Sequence, residues 1–118
     1  MQAEIKSKKI HHAEDCPITA TIDVIGGKWK PPIIWLLMKE GTLRFGELNR
    51  IMPGIALKVL SRSLKELEAA GIVSRTVYPS VPPKVEYSLT EKGESLREIM
   101  CQLSEWSRKN ILSEAEAL

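Results

Sequence analysis

The 118-residue chain contains no apolar run long enough to cross a bilayer. Its densest stretch, PPIIWLLM, ends at Met38 and falls far short of the roughly 20 residues that a spanning helix needs. The opening segment MQAEIKSKKIHHAEDC has basic residues but no apolar segment or small-residue cleavage site behind them, so no secretory signal is expected and the cytoplasm is the expected compartment. Cysteine is scarce. Cys16 and Cys101 stand far apart, and His11 and His12 are the only histidines, so the chain lacks the ligand spacing of a structural metal site. No metal and no cofactor are expected. No nucleophile stands with a base, and no carboxylate pair is placed for acid–base work, which argues against an enzyme. Nor is there a large excess of either charge. With 17 Lys and Arg against 15 Asp and Glu, the formal net charge is +2, so any attraction to a polyanion must come from how the charges are distributed.

What is present fits one domain with tails. Residues 1–15 form a polar arm carrying Lys6, Lys8 and Lys9, residues 16–107 the domain, and residues 108–118 a C-terminal tail. Pro17 suits the first position of a helix capped by Cys16 or Asp15, with Ile18, Ile22 and Ile25 at helical spacing until Gly26 and Gly27 interrupt it. Trp29, Ile33, Leu36 and Leu37 then mark one face of a second helix that ends at Gly41. A short extended TLRF follows, and Phe45, Leu48 and Ile51 recur in threes before Pro53 and Gly54 force a turn.

The next segment, ALKVLSRSLKELEAAG, separates on a helical wheel at about 100° per residue. Leu57, Leu60, Leu64 and Leu67 share one arc, and Lys58, Ser61, Arg62 and Lys65 share a neighbouring arc without an acid. After Gly71 come two strand-like runs, the second alternating Val85, Tyr87 and Leu89 with Lys84, Glu86 and Ser88. Pro79, Pro82 and Pro83 stiffen the tip between them, remove backbone donors and keep that edge from recruiting another strand. Thr90 is placed to cap a last helix with Leu96, Ile99, Met100, Leu103 and Trp106 at intervals of three and four. The fold class is therefore mainly α with a small β-hairpin, in the order of a winged helix-turn-helix.

Four runs, CPITATIDVIGGKWK, LRFGELNRIMPGI, LSRSLKELEAAGIVSR and VYPSVPPKVEYSLTEKG, resemble the HxlR family of bacterial transcription regulators, winged-helix proteins related in fold to the MarR type. The likeness spans Cys16 to Gly93 and continues into the last helix. It implies a homodimer, held through its N- and C-terminal helices, that binds operator DNA through the helix beginning near Ala56 and through the hairpin as a wing. It also implies an N-terminal cysteine, here Cys16, that in some relatives senses electrophiles or oxidants. Two places depart from the family pattern. Ala56 stands where a capping Ser or Thr is usual and Leu57 where a polar residue is typical, while Pro31 and Pro32 replace apolar helix.

Each feature has a plainer explanation beside the functional one. The basic arc could be a solvated face, but on the second helix of a helix-turn-helix Lys58, Ser61, Arg62 and Lys65 become candidates for reading double-stranded DNA. Arg75 and Lys84 flank the wing and suit phosphates, and Arg44 could reach the backbone or be an exposed loop charge. Leu96, Ile99, Met100, Leu103 and Trp106 suit either the core or a dimer interface. Cys16 is either a buried thiol or a sensor, and Cys101 is expected to pack. The alternative function is a winged-helix protein–protein interaction module without DNA specificity.

Overall fold

The computed structural model describes residues 15–112. The polar arm with its lysines and histidines lies outside the described residues except for Asp15, as do residues 113–118 of the tail. The order is α1 (Pro17–Ile25), α2 (Lys30–Glu40), β1 (Leu43–Arg44), α3 (Phe45–Ile51), α4 (Leu57–Ala69), β2 (Val73–Tyr78), β3 (Lys84–Leu89), α5 (Glu91–Glu94) and α6 (Arg97–Asn110). Among the described residues, no helix is long and apolar enough to cross a membrane.

Local chemistry sets the helix boundaries. Pro17 occupies the first turn of α1 behind Cys16 as N-cap. The adjacent Pro31 and Pro32 fall in the first turn of α2, where backbone N–H groups have no intrahelical partner to lose. These prolines therefore set where α2 begins without breaking it. The face of α2 that packs inward is Ile33, Ile34, Leu37 and Met38, whereas Trp29 and Leu36 are only half-buried. In α3, Leu48 is fully buried but Ile51, the last helical residue, is exposed, and Met52 turns inward in its place.

Leu60, Leu64 and Leu67 of α4 join these residues, Ile25, Ile72 and Val73 in one continuous core. Leu57 does not: as the first residue of α4 it projects beyond the core and is 58% exposed.

The hairpin is part of a three-stranded antiparallel sheet in the order β1-β3-β2. The short TLRF piece supplies the third strand, pairing Leu43 with Tyr87 and Arg44 with Glu86. The sheet's inner face presents Val73 and Tyr87, both buried.

The expected last helix is two helices. Thr90 caps only α5, accepting the Gly93 N–H at 3.0 Å, and its hydroxyl also reaches the Gly71 and Ile72 carbonyls. Gly93 lies so close to the Ile72 carbonyl that a Cβ would stand 2.2 Å from its oxygen, and this contact locks α5 against the start of β2. The chain then turns through Ser95 and Leu96 before α6 starts at Arg97. Thr90→Ala should lower stability by about 1 kcal/mol, read as a melting temperature lower by roughly 4–8 °C. An unchanged melting temperature would mean that the cap contributes nothing.

Candidate nucleic-acid interface

Helices α3 and α4 form a helix-turn-helix joined by Met52, Pro53, Gly54, Ile55 and Ala56. Gly54 turns the chain with φ 91°, in the left-handed region that favours glycine. Ala56 is the N-cap of α4 in extended conformation and offers no side-chain cap. At the other helix, the Glu47 carboxylate accepts the Arg44 backbone N–H at 2.8 Å and so fixes the entry of α3.

On α4, Lys58, Arg62 and Lys65 are exposed and Ser61 is half-exposed, so the arc read from the sequence faces outward. Among the described residues, no ion pair or side-chain hydrogen bond engages Lys58 or Lys65. The acid that interacts with a cation on a neighbouring helix is Glu66, which lies off this arc. Lys30 of α2 holds it at 2.9 Å, and this hydrogen bond and charge, helped by Arg62, keep its carboxyl below the usual range. A cross-link between α2 and α4 thus leaves the outward arc to the cations.

Register divides the wing cations. Arg75 pairs with Tyr87, Val73 with Leu89 and Val77 with Val85, which places Arg75 on the inner, helix-facing side of the hairpin. Lys84 pairs with Tyr78 and lies on the other side, over the Tyr78 ring at 4.8 Å and 3.5 Å from Glu86. Arg75 and Lys84, both expected beside phosphates, are assigned to different faces by alternation along the strands.

Two clefts result. One, of about 370 Å³, lies between α4 and the hairpin base and is lined by Phe45, Ser61, Lys65, Glu68, Arg75 and Tyr87. The other, of about 510 Å³, runs toward the wing tip and is lined by Arg44, Phe45, Gly46, Ser80, Lys84 and the Pro82–Pro83 pair, with Val85 behind. Phe45 and Tyr87 are expected from sequence only as apolar-face positions, and Glu68 carries no expectation of a site role. Only the inner-face parity of Arg75, a cation where the alternation calls for an apolar side chain, would have pointed to the first cleft. Pro79, the remaining wing-tip proline, is exposed at the end of β2 and lines neither cleft.

The residues expected at a dimer interface divide as well. Met100 is buried and Leu96 half-buried against the chain's own core, because α6 lays that side on the domain. Ile99, Leu103 and Trp106 remain 52%, 58% and 57% exposed, and on α1 Ile18 and Ile22 are likewise open. An apolar groove of about 310 Å³ borders this region, lined by Pro31, Pro32, Trp35, Met100, Leu103 and Ser104. Cys16 is half-exposed at the N-cap of α1. Cys101 does not pack: it is exposed, on the side of α6 away from the Ile99, Leu103 and Trp106 row.

Residues 24–115 match the model of the HxlR-like helix-turn-helix family. The chain is 54% identical over 97 residues to the HTH-type transcriptional regulator YybR of Bacillus subtilis strain 168, covering 82% of this chain and 77% of that protein. It is 51% identical over 108 residues to the HTH-type transcriptional regulator BH0655 of Halalkalibacterium halodurans, covering 92% and 95%. Among solved structures, the oxidized form of the redox regulator HypR superposes with a TM-score of 0.76 at 50% identity, over 83% of this chain and all of that one.

Proposed function

This chain belongs to the HxlR family of helix-turn-helix proteins, and from that premise we propose that it is a transcriptional regulator that binds operator DNA sequence-specifically as a homodimer, with α4 in the major groove and the β2–β3 hairpin as wing. The observation that carries this reading is the pair Lys58 and Arg62, exposed and one turn apart near the start of the second helix of the helix-turn-helix. In that position side chains reach base edges, and Arg or Lys bonded to guanine is the commonest specific contact.

The exposed apolar residues support the dimer. Ile18 and Ile22 on α1 and Ile99, Leu103 and Trp106 on α6 each recur at helical spacing and leave five large side chains in water. Covering them against a second copy through a two-fold axis removes that cost. Footprinting on a bound duplex should then protect two half-sites with centres about 34 Å apart. Protection of a single half-site by a monomer would overturn the proposal. A protein–protein module would instead bind an acidic partner with no preference among duplexes.

Regulation through Cys16 belongs to the same reading. It is the N-cap residue of α1, the helix that carries Ile18 and Ile22, with its thiol making no cap bond, and HypR, similar over most of this chain, is by name a redox regulator. A quinone adding to the Cys16 sulfur would form a carbon–sulfur bond as the thiol proton passes to the ring oxygen, and diamide would oxidise the Cys16 thiols of the two subunits to a disulfide while it is reduced to the hydrazine, in each case at the edge of the dimer interface. A small rotation of one subunit there moves one recognition helix out of register with its half-site. In a gel shift, a quinone or diamide should release wild type and Cys101→Ser from DNA and leave Cys16→Ser bound, with reductant reversing the diamide effect. Release of Cys16→Ser as readily as wild type would show that the thiol only packs.

A further inference from the structure

The cleft between α4 and the hairpin base has no role in the fold that accounts for its charge. Its lining comes from four elements: Ser61, Lys65 and Glu68 from α4, Arg75 from β2, and Phe45 of α3 and Tyr87 of β3 as its apolar floor. Arg75 occupies an inner-face position between Val73 and Val77, where strand alternation places apolar side chains on either side of it. Arg75 is exposed there, and among the described residues no ion pair or side-chain hydrogen bond engages it. Lys65, across the cleft, is equally unengaged. Two unpaired cations from different elements thus line one depression floored by two aromatic rings.

Position along α4 separates this pair from the base-reading pair. At about 100° per residue Lys65 stands about 20° from Lys58 on the same face, with Ser61 and Glu68 on its hairpin side and Arg62 on the other, so the separation is one of position along the axis. Lys65 lies about 10 Å farther along the axis than Lys58 at 1.5 Å rise per residue. It therefore sits away from the end of the helix that enters a groove.

We infer that Lys65 and Arg75 jointly seat one phosphate of the DNA backbone in this cleft, with the Ser61 hydroxyl as a further donor, so that both fix the register of α4 and neither reads a base. The guanidinium offers a planar fork suited to two phosphate oxygens and the ammonium a point charge opposite it. The Glu68 carboxylate faces the same seat and weakens it, which limits how tightly any duplex is held regardless of sequence. The inference rests on the DNA-binding reading above and goes beyond it by making helix and wing share a single contact.

Salt dependence tests it. One phosphate contributes about 0.9 to the slope of log affinity against log salt. The Lys65→Ala, Arg75→Ala double variant should therefore lose no more than about 0.9 per subunit, and the affinity losses of the two single variants should fall short of multiplying by at least about 2-fold. Base preference should stay that of wild type. Lys65→Ala combined with Lys84→Ala, whose side chains lie on different faces, should show losses that multiply. Glu68→Gln should strengthen binding to the preferred duplex and to a random duplex by the same factor.

Three results would overturn the shared seat: a double-variant slope loss near 1.8 per subunit, a changed base preference in Lys65→Ala, or weaker binding by Glu68→Gln, which would mean that the carboxylate accepts from a base. Melting curves of each variant verify folding. Failure of the parent reading looks different, because wild type itself would then show no preference for any duplex.

Discussion

Trp106→Glu should leave the protein folded, convert it to a monomer and weaken binding to a two-half-site duplex by roughly 100-fold or more, the range over which linking two binding modules raises affinity. Trp106 is more than half exposed, so a charge there costs the isolated chain little. In the proposed dimer this position belongs to the apolar surface that the second copy covers, so the substitution would bury two carboxylates, one from each subunit, with no partner. Each half-site would then be held by one recognition helix and one wing, and the second contact would no longer follow from the first. Sedimentation gives the mass and a titration gives the affinity. A variant that remains dimeric would place the interface elsewhere, and a monomer with undiminished affinity would make dimerisation irrelevant to binding.

Arg62→Ala should weaken binding to the preferred duplex by about 1–3 kcal/mol, the range for a bidentate contact with a base, and relax preference at the position it reads. Lys58→Ala should do the same at a neighbouring position. Both residues are exposed and outside the core, so folding gives no other reason for the loss. Arg62 has one structural duty, a minor charge contribution to the Glu66 carboxylate one turn away, which Lys30 dominates. Its loss should leave the melting temperature nearly unchanged. Affinity equal to wild type in both variants, measured on the same duplex and at the same salt, would remove α4 from the groove.

The legible parts of this chain were those governed by short-range rules. Pro17 at a helix start, Gly41 at a helix end and the alternation from Lys84 to Leu89 each act within a few residues, and the helices and hairpin stand where these signals put them. The family followed from ordered runs such as VPPKVEYSLTEKG, and residues 24–115 match it. What escaped was tertiary. Leu96 and Met100 continue the same apolar spacing as Ile99, Leu103 and Trp106, and only the placement of α6 on the domain decides which of them the core takes.

The break between α5 and α6 was hidden for a similar reason. The apolar spacing starts only at Leu96 and says nothing of residues 91–95, whereas the chain turns there because Gly93 must approach the Ile72 carbonyl, a contact across more than 20 residues. The division of Arg75 from Lys84 depends on strand register, which the hairpin tip sets. Leu57 was counted with the core because the wheel knows direction but not where the core ends.

The central claim, that α4 reads a DNA sequence, is tested most directly by selecting a preferred duplex from a random pool and measuring its dissociation constant against that of a scrambled duplex at physiological salt. The selected sequence should have two-fold related halves and be bound about 10³-fold or more tightly than the scramble. A pool that yields no common sequence, or a ratio near one, would contradict it.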